Sequence, residues 1–136
     1  MDGKALREKV TALCLPAGDY AVFGSGPLLA HGLVRSVNDV DVLARGAAWE
    51  AAKGLGDAVA GEMGDPVVRL GGGEVEIFGG WLGMDADGIV EGARTVRGLR
   101  FARLEDVLAF KRMLGRPKDR EHVRLIEGHL RGGVRG

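Results

Sequence analysis

Asp39 and Asp41 flank Val40 in the run Asn38-Asp39-Val40-Asp41-Val42. In an extended chain residues i and i+2 project from one face, so both carboxylates share a side. Two carboxylates that close repel each other, and one pKa rises unless a cation lies between them. Oxygen-only ligands favour a hard divalent ion, Mg2+ or Mn2+, which keeps some of its water and binds substrate phosphates. Glu74 and Glu76 form a second such pair in Glu74-Val75-Glu76-Ile77. One of them would supply a third carboxylate, as metal ligand or as base for an attacking hydroxyl. Gly24-Ser25 ends an apolar run, and thirteen residues separate it from Asp39. A bend there exposes backbone N–H groups and a hydroxyl to an anion. Singly, a Gly-Ser bend is usually a plain turn and an Asp-x-Asp a solvated strand cap; their order along the chain gives them weight.

These residues need elements to hold them. Helical spacing of Leu6, Val10 and Leu13 predicts a helix over 3–15, ended by Pro16-Ala17-Gly18. Tyr20–Phe23 reads as a buried strand entering Gly24-Ser25-Gly26-Pro27, and Pro27–Leu33 as a short helix with proline in its first turn. Val40–Ala44 is a second strand, and Ala47–Ala60 a helix weakened by Gly54 and Gly56. Pro66–Leu70 and Glu74–Phe78 flank Gly71-Gly72-Gly73, which predicts a hairpin. Residues 84–93 suit a short helix, and Thr95–Ala102 an edge strand. Leu104–Leu114 is a helix closed by Gly115, Pro117 opens a last helix to about Leu130, and Gly132–Gly136 reads as a frayed tail. Strands interleaved with helices, then two closing helices, predict an α/β (α+β) fold with a small mixed β-sheet. It forms one domain over 1–136, with its core at about 18–102 and a helical part at about 103–131.

Two charges fall on the apolar stripes of the closing helices. Lys111 lies within the arc of Leu104, Val107, Leu108 and Leu114, and Asp119 stands four residues before Val123 on the face carrying Ile126 and Leu130. Charged groups on core-facing stripes are costly unless paired or set in a cleft. Lys111 then reaches a phosphate chain with Asp119 orienting it, or the two form a structural ion pair, or the lysine snorkels to water.

The run Val22-Phe23-Gly24-Ser25, then Asp39-Val40-Asp41-Val42, then Val75-Glu76-Ile77 resembles the signature of the polymerase-beta-like nucleotidyltransferase superfamily. The stretch Ala30–Asp39, together with Leu104-Glu105-Asp106-Val107-Leu108-Ala109-Phe110-Lys111 and Gly115-Arg116-Pro117-Lys118-Asp119, resembles the small bacterial members of AbiEii type, proteins related to abortive infection and toxin–antitoxin systems. The resemblance covers about residues 20–130. It implies the nucleotidyltransferase fold, Asp39, Asp41 and Glu76 as metal ligands and catalytic carboxylates, and Gly24 and Ser25 as a phosphate cradle. A glutamate in the third position departs from the usual aspartate, and Glu74 stays an alternative to Glu76. The activity implied is Mg2+- or Mn2+-dependent transfer of a nucleoside monophosphate from a nucleoside triphosphate to an acceptor. That acceptor would be a protein side chain, a tRNA or a small hydroxylated molecule. Lys111 and Ser25 would bind the β- and γ-phosphates, with Asp119 assisting. Arg35, four residues before Asp39, would contact phosphate or pair with the acidic cluster. The alternative is a non-catalytic nucleotide-binding or antitoxin-like module of the same fold; a plain interaction domain whose acids are strand caps is the third reading.

Composition narrows the class. The 136 residues are 46% hydrophobic, enough for one core. Residues 1–96 carry 8 basic and 14 acidic residues (net −6), and residues 97–136 carry 11 and 5 (net +6). An acidic front and a basic back suit a site with metal on one wall and phosphates on the other, or simply two solvated faces. Cys14 is alone, which excludes an internal disulfide and a cysteine zinc site, and its apolar neighbours suggest a small buried residue. His31, His122 and His129 lack zinc spacing, and the last two read as surface residues. Trp49 reads as core, while Trp81 reads as a core or rim residue or stacks on a base. No apolar stretch is long enough for a bilayer and no signal peptide is evident, so a cytoplasmic protein without membrane contact is expected, with a homodimer as an assembly option.

Overall fold

The computed structural model describes residues 1–61, 64–80 and 83–134. Its elements are α1 (Gly3–Ala12), β1 (Tyr20–Phe23), α2 (Gly26–Ala30), β2 (Val40–Ala44), α3 (Gly46–Lys53), β3 (Ala58–Ala60), β4 (Pro66–Leu70), β5 (Val75–Phe78), α4 (Ala86–Glu91), β6 (Arg94–Val96), β7 (Leu99–Phe101), α5 (Leu104–Leu114) and α6 (Pro117–Val134). The strands form one mixed seven-stranded sheet in the order β3-β4-β5-β2-β1-β7-β6. β1 runs antiparallel to β2, and β2 parallel to β5, so the three strands predicted to carry the chemistry are adjacent at the centre.

Alternation along these strands sorts the side chains into two layers. Val40, Val42, Ala44, Val22, Val75 and Ile77 point to one face, where they meet Leu6 and Val10 of α1 and Ala48 and Ala52 of α3. Ala21, Phe23 and Leu43 point to the other, under Val107, Leu108 and Phe110 of α5 and Ile126 of α6. Asp41 and Glu76 belong to this second face, at the end where the helical cover gives out. α1 is started by Asp2, whose carboxylate accepts from the Ala5 N–H at 2.9 Å. α5 ends at Gly115 in the left-handed region (φ 62°), whose N–H donates to the Lys111 carbonyl, and α6 follows at once, as the Gly-x-Pro spacing predicts.

The structure corrects several local expectations. The helix expected over Ala47–Ala60 stops at Lys53, and Ala58–Ala60 is an edge strand paired antiparallel with β4. The strand expected over Thr95–Ala102 is a hairpin: Arg97 (φ 48°) and Gly98 (φ 84°) form a two-residue turn of left-handed conformation between β6 and β7. The helix after Gly24-Ser25 spans only Gly26–Ala30, not Pro27–Leu33. α6 continues past Leu130 to Val134, and the remainder of the expected tail, Arg135 and Gly136, lies outside the described residues. Cys14 is exposed, in the turn that leaves α1. His122 is buried against the α5–α6 junction rather than on the surface, whereas His129 is exposed. Trp49 is half-buried against the first core layer, and Trp81 lies outside the described residues. Among the described residues no helix is long and apolar enough to cross a membrane.

Candidate active site

A cavity of about 380 Å³ opens at the sheet end where β1 and β2 meet α5 and the start of α6. Cross-strand register builds its floor. Phe23 of β1 stands opposite Asp41 of β2, Asp41 beside Glu76 of β5, and Glu76 opposite Arg69 of β4. One row across the sheet therefore sets Asp41, Glu76 and Arg69 side by side on one face. Asp39, just before β2, joins them. Carboxylate oxygens of Asp39, Asp41 and Glu76 lie within 4.8 Å of one another.

Gly24 makes room for this cluster. It sits at φ +64°, and a Cβ there would stand 2.6 Å from Asp41 Oδ2. The glycine is needed twice, for its backbone conformation and for the carboxylate beside it. Gly24→Ala is expected to cost about 1–2 kcal/mol from the left-handed backbone alone and to push the Asp41 carboxylate aside. Thermal denaturation with a parallel Mn2+ titration checks this: a folded but cation-blind variant is the expected result.

Asp41 carries the electrostatic cost of the arrangement. Burial first, then the neighbouring Asp39 and Glu76 charges, push its carboxyl up to about 7, with Lys111 and Lys118 pulling weakly the other way. It accepts no hydrogen bond from the described residues. Glu76 is different: its Oε2 accepts from Arg69 Nε at 2.8 Å. Glu74 lies outside β5 in helical conformation, so strand alternation does not reach it, and its carboxylate pairs with Lys9 of α1 at 2.9 Å. Of the two glutamates, only Glu76 lines the cavity.

The opposite wall is basic. Lys111 projects from α5 and donates from Nζ to Ser25 Oγ at 3.2 Å. Phe110, the residue before it, meets Phe23 edge-to-face with centroids 5.3 Å apart, which pins this turn of α5 over the end of β1. Arg116 and Lys118, on the turn into α6, complete the wall. Asp119 stands behind it: fully buried, not among the lining residues, 3.6 Å from Lys111 Nζ. It accepts from Arg116 Nε at 2.6 Å and from the Arg116 N–H and a second guanidinium nitrogen at 3.2 Å each. Burial works against its charge, but the Arg116 hydrogen bonds and the Arg116 and Lys111 charges hold its carboxyl below the ordinary value. Burial lowers the Lys111 pKa, and Asp119 opposes that shift. The Lys111–Asp119 alternatives thus resolve into both parts: a structural pair whose lysine reaches the cavity. His122, one turn after Asp119, is held neutral by burial and by Lys111 and Lys118, its pKa lowered to about 4.

Not every expected residue converges. Arg35 is exposed and is not among the lining residues. Ser25 faces Lys111, but α2 spans only five residues, so the positive wall rests on Lys111, Arg116 and Lys118 rather than on a helix terminus. Sequence reasoning missed Arg69 and Asp65, both on this cavity. Arg69 was recoverable: a hairpin closed by Gly71–Gly73 pairs Leu70 with Val75, and hence Arg69 with Glu76.

No protein-family model, curated protein or solved structure matches the chain. The fold established is a mixed α/β architecture, and the case for function rests on the cavity itself.

Proposed function

We propose that this cavity binds a divalent cation and a nucleoside triphosphate and transfers the nucleoside monophosphate to an acceptor hydroxyl. The observation that carries the reading is the opposition of two walls: three carboxylates with oxygens within 4.8 Å of one another on the sheet side, and Lys111, Arg116 and Lys118 on the helical side. The donor set fits a hard cation, because it is all oxygen, anionic and partly desolvated. Asp39, Asp41 and Glu76 would hold that cation, Mg2+ or Mn2+. When bound, it would neutralise the carboxylates and screen the phosphate charge.

The chain's own residues do the rest. Lys111, held by Asp119 and by Ser25, meets the β- and γ-phosphates, with Arg116 and Lys118 beside it. Phe78, Phe110 and Leu114 give the cavity an apolar side suited to a flat base. The acceptor oxygen forms a bond to the α-phosphorus, the bond from that phosphorus to the bridging oxygen breaks, and pyrophosphate leaves. The acceptor's proton passes to a cavity carboxylate, with Glu76 as ligand or base. The resemblance of Gly24-Ser25, Asp39-x-Asp41 and Glu76 to the nucleotidyltransferase signature supports the same reading.

Incubation with each α-labelled nucleoside triphosphate and Mg2+, with and without cell extract, tests it. Label should move to an acceptor, and Asp39→Ala should slow transfer by roughly a thousandfold or more, the equivalent of several kcal/mol of lost charge stabilisation. Unchanged transfer by Asp39→Ala contradicts the proposal. A second reading, nucleotide binding without turnover, draws on the Arg69–Glu76 pair, which already neutralises the third carboxylate. Mg2+-dependent binding with no label transfer to any acceptor would favour it.

A further inference from the structure

Arg69 belongs to no feature of the proposed reaction, yet it sits on the cavity and holds one of its three carboxylates. It is directly opposite Glu76 across the β4–β5 ladder, with Nε 2.8 Å from Oε2. Its side chain is 41% exposed and that of Glu76 20%. The Glu76 carboxylate is thus paired with a guanidinium that itself stays open to solvent. Glu74, two residues earlier, has a counter-ion of its own in Lys9, so Arg69 is committed to Glu76 alone among the glutamates of this hairpin.

A guanidinium and a divalent cation cannot both have full use of one carboxylate oxygen. We infer that Arg69 is a built-in counter-ion that competes with the divalent cation for Glu76 and sets how tightly the free protein holds it. This rests on the cation-binding reading above. Arg69 keeps the acidic row compact when no cation is bound and weakens cation binding twice over: it occupies Glu76 Oε2, and it places a positive charge beside the incoming ion. Asp39 and Asp41 have no such partner among the described residues, so they are the oxygens a cation meets first. A triphosphate, which brings further negative charge into the cavity, offers the guanidinium another partner. Cation binding is then expected to tighten when a nucleotide is present, and that linkage to pass through Arg69.

Direct Mn2+ titration of the full chain, read by electron paramagnetic resonance of the free ion, tests this without any turnover. Arg69→Gln should bind Mn2+ roughly three- to tenfold more tightly than the unaltered protein, the range for removing one partly exposed charge near the ion. Arg69→Lys, which keeps a positive charge, should recover most of the weaker affinity. Measured against Glu76→Gln alone, the gain should shrink in an Arg69→Gln/Glu76→Gln double variant, because the competition for Glu76 is gone and only the charge beside the ion is removed. A merely structural cross-strand pair would change melting temperature and leave these affinities alone. If Arg69→Gln unfolds, Arg69→Met, which keeps an unbranched apolar side chain at this position, carries the same expectation. Unchanged or weaker Mn2+ binding by a folded Arg69 variant, with Asp41-dependent binding intact in the unaltered protein, overturns the inference alone. Absence of Asp41-dependent Mn2+ binding in both proteins overturns the cation site and the inference with it.

Discussion

Replacing Asp41 by Asn raises the melting temperature of the cation-free protein at pH 8 and leaves it nearly unchanged at pH 4. The sign follows from the direction of the shift. The Asp41 carboxyl titrates at about 7 in the fold, from an ordinary value of 3.8, so the native state holds its proton more tightly than the unfolded chain does. Stability then falls as pH rises from about 4 through 7, and the full cost is present above 7. Each unit of displacement is worth about 1.4 kcal/mol, and the coupling to Asp39 and Glu76 spreads the cost, so a gain of roughly 2–4 kcal/mol at pH 8 is expected. For a chain of this size that is about 5–15 °C. Asn keeps the shape and removes the charge, hence the near-equality at pH 4, where Asp41 is neutral in the native state. Scanning calorimetry at the two pH values checks the stability. Mg2+ should raise the melting temperature of the unaltered protein at pH 8 and not that of the variant. A lower melting temperature for Asp41→Asn at pH 8 would mean that the carboxylate holds the fold together rather than waiting for a cation.

The second large effect is at Asp119. Asp119→Ala removes the counter-ion of a lysine whose side chain is 3% exposed and three hydrogen-bond acceptances from Arg116. Breaking a buried pair by deleting one partner typically costs about 3–5 kcal/mol, because the other charge is stranded. Lys111→Met should cost far less, since Asp119 keeps all its Arg116 contacts. The double variant Asp119→Ala/Lys111→Met should recover much of what Asp119→Ala loses, a non-additivity that urea denaturation of the four proteins measures. Because the Asp119 pKa is lowered in the fold, its contribution is present above about pH 4 and fades as pH falls below that. Asp119→Ala should lose this acid limb. Additive single-variant losses would show that the two side chains do not sense each other. Nucleotide affinity separates the roles: Lys111→Met should weaken triphosphate binding roughly tenfold or more while the protein stays folded.

The central strands were legible because their signals are local and mutually consistent. Tyr20–Phe23 and Val40–Ala44 are short apolar runs bounded by Gly-Ser and Asp, and both stand as expected. Once β2 and β5 are neighbours, Asp41 and Glu76 meet by register, so ordered motifs on separate strands became one cluster. Where pairing decided the outcome, sequence alone was insufficient. Ala58-Val59-Ala60 continues a helical pattern as easily as it starts a strand; Gly54 ends α3 and the edge of β4 takes the segment. Arg97-Gly98 gives a weak turn signal within an otherwise strand-like run, and two left-handed residues there fold it into a hairpin. Asp119 and Lys111 stood out as charges on apolar stripes, but only the packing of α6 on α5 shows the aspartate behind the lysine and the lysine facing the cavity. His122 is buried for the same reason. Arg35 misled because nearness in sequence to Asp39 does not aim a side chain: the bend after α2 leaves it in solvent.

The claim beneath all of this is that Asp39, Asp41 and Glu76 form a seat for a divalent ion. A crystal of the protein grown with Mn2+, its diffraction recorded at the manganese absorption edge, addresses that directly. The account predicts an anomalous peak between the three carboxylates, with Arg69 drawn off Glu76. A Mn2+-saturated crystal with no peak there, and Arg69 still bonded to Glu76, would contradict it.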